Sequence, residues 1–200
     1  MGEVRKLSLG DIADLREYER ERPEFQQRVF GAKRQRRVVL GPIMSVVFEN
    51  ALTIRYQIQE MARVEKMTTD AQISDELRVY NPLIPDPGEL SATVFLELTD
   101  EAELREWLPK LVGIERAVLL GLGQTDRTYL RCTPDEGHAA QLTREEVTAS
   151  VHYIRFALSP PEIDRFEAGP AFLACDHPAY RAEVELSEVT RKELVGDLRG

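Results

Sequence analysis

Apolar positions follow two rhythms in this chain, a helical one in the first half and an alternating one in the second. Ser8 and Asp11 predict a capping box that opens a helix, and Ile12, Leu15 and Tyr18 then step at helical spacing. Phe25, Val29 and Ala32 continue one face beyond Pro23, which either restarts a helix or kinks a longer one. RVVLGPIMSVVFEN (37–50) reads as two short strands about a Gly41-Pro42 turn, with Met44, Val46 and Phe48 alternating against Ser45 and Val47. Asn50 is a good N-cap for ALTIRYQIQEMARVEKM (51–67), where Ile54, Ile58 and Met61 share a face. Asp70 is expected to cap the next helix, carrying Ile73, Leu77 and Tyr80, and Pro82 to end it.

Beyond a proline-rich turn (Pro82, Pro85, Pro87, Gly88), SATVFLELT (91–99) is a strong strand. Asp100 caps an acidic helix, EAELREWLPKLVG, which Gly113 stops. Strand character returns at 117–122, 128–132 and 147–158, and again around AFLAC and YRAEVEL. Short helices are expected at PPEIDRFEAG and, capped by Ser187, at SEVTRKELVGDL. The pattern is α+β: a helix-rich N-terminal half with a β-hairpin, packed on a largely antiparallel sheet formed mainly by the C-terminal half. One domain over 1–200 is expected, with a helical part at 1–90 and a strand-rich part at 91–200. GLGQTD (121–126) lacks the spacing of a dinucleotide site and reads as a hairpin turn.

Charge changes this picture only locally. The chain is acidic, with a formal net charge of −9, yet residues 1–37 hold 10 Lys/Arg against 7 Asp/Glu. KRQRR (33–37) is therefore a basic patch, which could touch nucleic acid through Lys33, Arg34, Arg36 and Arg37. The acidic remainder repels a polyanion, and basic residues in a last helical turn complement its dipole, so the structural reading is preferred. The apolar run VVLGPIMSVVF (38–48) is too short to span a bilayer, and MGEVRKLSLGDIADL has no signal-peptide core. A cytoplasmic location is expected. Cys132 and Cys175 stand far apart and outside any CxxC pattern, which argues against a disulfide framework, a zinc ribbon or a cysteine-ligated Fe–S cluster.

Nucleophile and metal-hydrolase signatures are missing: there is no GxSxG, no HExxH and no Glu-x-x-His pair. His152 shares a strand face with Ile154 and Phe156 and reads as a core histidine. Cys175 and His177 share a face if their strand continues, but two ligands do not make a zinc site; His138 reads as a surface-loop residue. No metal is expected, and no cofactor is specified. The richest polar group lies along the helix after Asn50, where Asn50, Thr53, Gln57 and Glu60 recur at i+3 or i+4. If the proline-rich segment folds back on it, Glu89 and the Tyr80 hydroxyl would join Glu60. The candidate ligand pocket therefore comprises Glu49, Asn50, Gln57, Glu60, Tyr80, Asn81, Glu89, Ser91 and Thr93. In an enzyme or ligand-binding protein of this kind, Glu60 would be general base or hard-metal ligand and Glu89 its partner, with Tyr80 or Asn81 orienting the substrate.

The order of FEN (48–50), QIQEM (57–61), YNPLIP (80–85), GELSATVFLE (88–97) and DHPAY (176–180) resembles a bacterial family catalogued as domain of unknown function 3501. The likeness runs from LSLGDI to the last helix. Genes of that family tend to lie near rubrerythrin and a cysteine-rich Fe–S oxidoreductase. The resemblance therefore implies a non-catalytic accessory or partner-binding role in oxidative-stress defence, with rubrerythrin or the Fe–S oxidoreductase as partner. It supplies no catalytic residues.

Overall fold

The computed structural model describes residues 6–135, 137 and 147–200. Six α-helices and nine strands are found among them: α1 Leu15–Arg36, β1 Arg37–Val39, β2 Met44–Phe48, α2 Ala51–Val64, α3 Asp70–Tyr80, β3 Glu89–Leu96, α4 Glu101–Lys110, β4 Val118–Leu122, β5 Thr128–Arg131, β6 Thr133–Pro134, β7 Val151–Ala157, α5 Pro160–Ala168, β8 Ala171–His177, β9 Tyr180–Glu185 and α6 Glu188–Arg199. The α+β class holds. The strands form two antiparallel sheets, ordered β1-β2-β3-β7-β6 and β5-β4-β8-β9. The larger sheet draws β1, β2 and β3 from the first half of the chain. The second half supplies six of the nine strands, as expected, and the strands divide between two sheets rather than one.

The alternation of each strand decides where its side chains go. Met44, Val46 and Phe48 of β2, with Leu90, Ala92 and Val94 of β3, face a large apolar cluster. That cluster continues through Val118, Leu120 and Leu173 of the smaller sheet to Leu194 and Leu198 of α6. The opposite face of the larger sheet carries Ser45, Val47, Ser91 and Thr93, and all four are buried as well. A strand buried on both faces needs a second cover, which the N-terminal helices provide. Tyr18, Phe25 and Val29 of α1 pack with Leu52 and Tyr56 of α2. Ile54 and Ile58 of α2 pack with Leu77, Leu83 and Ile84. The proline-rich segment therefore does fold back onto α2, and it does so through its apolar side chains.

Local signals mostly act at the expected place and sometimes through a neighbouring residue. The Ser8–Asp11 box closes a single 3-10 turn, Leu9–Asp11. The long helix begins at Leu15, where the Asp14 carboxylate accepts from the backbone N–H of Arg16 and of Glu17, both at 2.9 Å. Pro23 lies inside α1 without interrupting it. Thr69, rather than Asp70, caps α3. Gly41 turns the β1–β2 hairpin at φ 72°, and the Tyr180 hydroxyl stands where a side chain on it would point. The basic patch is dispersed by its partners. The Lys33 ammonium lies 5.5 Å over the Tyr56 ring, Arg36 pairs with Asp197 at 2.6 Å, and Arg37 pairs with Glu97 at 2.9 Å. Among the described residues no helix is long and apolar enough to cross a membrane.

Candidate functional site

The site begins where β2 runs into α2. The ladder of β2 with β3 ends at Phe48 opposite Ala92, and the Glu49 N–H extends it by donating to the Ser91 carbonyl at 2.8 Å. Asn50 then caps α2: its side chain accepts from the Thr53 N–H at 3.0 Å, while the Thr53 hydroxyl accepts from the Asn50 N–H at 2.9 Å. Glu49 is thus fixed on both sides by backbone bonds. It is directed to the helix-covered face of the sheet, and its residue is only 6% exposed. The Thr93 hydroxyl donates to its Oε1 at 2.5 Å. Thr93 lies directly opposite Tyr153 in the β3–β7 pairing, which places the tyrosine on the same face.

Over these three side chains α2 and the end of α3 leave a pocket of about 220 Å³. Glu49, Thr53, Gln57, Tyr80, Thr93 and Tyr153 supply its polar wall, and Ile54, Leu83, Phe95 and Val151 its apolar wall, with Lys33 also lining it. The Tyr80 hydroxyl is hydrogen-bonded to the Gln57 side chain, and burial raises the Tyr80 pKa above that of an ordinary phenol. Burial likewise pushes Tyr153 up to about 12, with the neighbouring Tyr80 and Glu49 adding to the shift. At neutral pH Tyr153 is thus a neutral phenol. A carboxylate that accepts and phenols that donate face one partly open space.

Four of the nine sequence candidates meet in this pocket: Glu49, Gln57, Tyr80 and Thr93. The others are placed elsewhere. Glu60 faces α1, where it accepts from the Tyr18 hydroxyl at 2.7 Å and from Arg22 at 2.8 and 3.0 Å, with Arg63 at 3.3 Å. The bonds from Arg22 and Tyr18 hold its carboxyl down to about 2. A carboxylate so held is a poor general base, and Glu89 is not its partner. Glu89 pairs with Arg155, which also donates to the Pro82 carbonyl and so ties the proline-rich segment to β7. Asn81 bonds the backbone of Leu7 in both directions, at 2.9 and 2.8 Å. Asn50 serves as a cap, and Ser91 lends its carbonyl to Glu49.

Sequence reasoning missed Lys33, Phe95, Val151 and Tyr153 as wall residues. A signal for Tyr153 did exist: with His152 assigned to the core face, alternation puts Tyr153 on the other one. The histidines behave as core residues. His152 Nε2 lies 3.0 Å from the Thr148 hydroxyl and 2.8 Å from the Ala149 carbonyl, and burial lowers its pKa. His177 Nε2 meets the Val112 carbonyl at 3.0 Å. Burial raises the pKa of both thiols, Cys132 and Cys175. His138 lies outside the described residues. Among those described, no group of three or more His, Cys, Asp or Glu is arranged to hold a metal.

Fold and site together define an α+β protein in which three helices cover one face of an antiparallel sheet and form a polar pocket with it. The chain belongs to the family described as protein of unknown function (DUF3501), whose model matches residues 6–198. It is similar to a crystal structure of a novel protein of unknown function from Burkholderia pseudomallei K96243. That likeness has a TM-score of 0.88 at 34% identity and covers 97% of this chain and 100% of the other. No curated protein matches the chain.

Proposed function

We propose that this protein binds a small polar molecule in the pocket between α2 and the β3–β7 surface. One observation carries the reading: a nearly buried carboxylate, Glu49, is held by one neutral hydroxyl in the wall of a partly open pocket that two tyrosines share. A largely buried carboxylate with no counter-charge costs stability, and a polar or cationic guest would offset that cost. Polar groups converge here on a space that also has aromatic and apolar walls, a mixture that suits a small polar guest. The test is a fragment mixture of mixed charge, soaked into crystals and followed by NMR on the labelled protein. Fragments are expected between Thr93, Tyr153 and Gln57, with shifts that disappear in Thr93→Val. A screen in which no fragment of any charge enters the pocket would end the reading.

An accessory role beside rubrerythrin or an Fe–S oxidoreductase is a separate proposal, motivated by the family resemblance. Its test is direct mixing of the purified proteins. If no complex forms at micromolar concentration and low salt, that role is lost while the pocket reading stands.

A further inference from the structure

The reading of a binding pocket leaves the class of ligand to be named, and the inference here rests on that reading. Among the described residues, Glu49 is the only carboxylate in the pocket wall. No ion pair with it occurs among the described residues, and its one side-chain hydrogen bond comes from Thr93. The start of α2, two residues on, supplies at most a fractional positive charge. Glu49 therefore has no cation within ion-pair distance among the described residues, and the Lys33 ammonium that also lines the space stands over the Tyr56 ring instead. Aromatic rings are the other large contribution: Tyr80, Tyr153 and Phe95 all line the same space, Phe95 with the Arg37 guanidinium 5.4 Å from its ring centre. A carboxylate combined with several rings is the chemistry that holds an organic ammonium, through an ion pair and cation–π attraction. Calcium or magnesium fits less well, since each takes six or more oxygen ligands and this wall offers one carboxylate, and zinc lacks the cluster of His, Cys or carboxylate ligands it needs among the described residues.

Size and Lys33 narrow the class. The volume of about 220 Å³ lies below the roughly 300–1,000 Å³ of drug-sized sites, so the guest is compact. Lys33 lines the pocket from α1, its ammonium standing over the Tyr56 ring rather than on Glu49. A guest with a second positive end would meet that charge. We infer that the pocket takes a compact organic ammonium ion carrying a single positive charge, its cationic group on Glu49 and its carbon chain against Tyr80, Tyr153 and Phe95.

Four probes with the same carbon chain test this: n-butylammonium, putrescine, n-butanol and butyrate, each by calorimetric titration and thermal shift at neutral pH. Butylammonium is expected to bind best and to raise the melting temperature. Glu49→Gln, which keeps an acceptor for Thr93, is expected to weaken it at least about 30-fold, the loss for removing one partner of a buried charge pair. Lys33→Gln is expected to bring putrescine up towards butylammonium. The melting curve of each variant without probe shows that it is folded. Butanol or butyrate binding as well as butylammonium would overturn the charge class and leave the pocket reading intact. Butylammonium binding undiminished in Glu49→Gln would overturn the placement. If fragments enter the pocket yet none of the four probes binds, the ammonium class is wrong.

Discussion

Glu60 and Glu49 lie on different sides of α2, and their surroundings could hardly differ more. Glu60 sits in the α1–α2 seam, 19% exposed, with Arg22, Arg63 and the Tyr18 hydroxyl around its oxygens. Glu49 sits in the seam between α2 and the sheet with one threonine hydroxyl and a pocket. The first carboxylate is consumed by the fold: its charge is matched and its pKa driven down, and it closes one helix on another. The second is held in place by backbone bonds but left unmatched in charge. Residue type alone does not separate the two roles. The neighbours supplied by distant segments do.

The strongest way to break this comparison is to remove Glu60. Its folded pKa of about 2 lies below the ordinary 4.5, so its contacts stabilise the fold by about 3 kcal/mol at neutral pH. Glu60→Ala is expected to lower stability by roughly that amount in urea unfolding, and the melting temperature by about 6–12 °C. Because the folded pKa is the lower one, this stabilisation is complete above pH 4.5 and disappears as pH falls towards 2. The gap between wild type and Glu60→Gln should close over that window. A gap independent of pH would mean that Arg22 contributes packing rather than charge.

Asn81 offers a second break of the same kind, because it too was expected in a pocket and instead ties two segments together. Its side chain replaces a piece of backbone ladder for Leu7. Asn81→Ala is expected to cost about 1–2 kcal/mol. Amide exchange at Leu7 should quicken with it, while pocket ligands bind as before.

How much of this was legible follows from what each signal depends on. Helix and strand positions were read well because Asn50, Asp100 and Ser187 cap within three residues of themselves. The polar stripe Asn50–Thr53–Gln57–Glu60 was real as a spacing. Only part of it reaches the pocket, because a helix turns enough over those residues for Gln57 to face the sheet while Glu60 faces α1. Which neighbour waits on each side is a long-range fact. Arg22 comes from α1, and Tyr153 enters only through the register of β3 with β7. The two-sheet arrangement was hidden for the same reason, since alternation gives a strand two faces without naming its partners.

Glu49→Gln sharpens the comparison by reversing the sign. The same substitution that weakens the fold at position 60 should strengthen it at position 49, by about 1 kcal/mol, since it removes a charge that no cation matches and keeps the Thr93 bond. A differential scan of the two variants side by side reads this directly. A clear loss of stability in Glu49→Gln would show that the carboxylate is matched after all, and the two regions would no longer be opposites.

The smallest effect on the fold belongs to Tyr153→Phe, and that smallness is its value. The ring remains to pack against Ile54, Leu83 and their neighbours beside β7, so unfolding free energy should change by no more than the worth of one hydrogen bond, about 1 kcal/mol. What disappears is a neutral donor in the pocket wall, kept protonated by a pKa of about 12. A ligand that accepts from it would then bind roughly fivefold to tenfold more weakly, the worth of one hydrogen bond, and the deficit would be the same at pH 6 and pH 9, since the phenol does not titrate between them. An ammonium held only by Glu49 and the rings has nothing to accept with, and its affinity should scarcely change. Glu49→Gln and Tyr153→Phe, titrated with the same ligand, therefore separate charge recognition from hydrogen-bond recognition within one pocket.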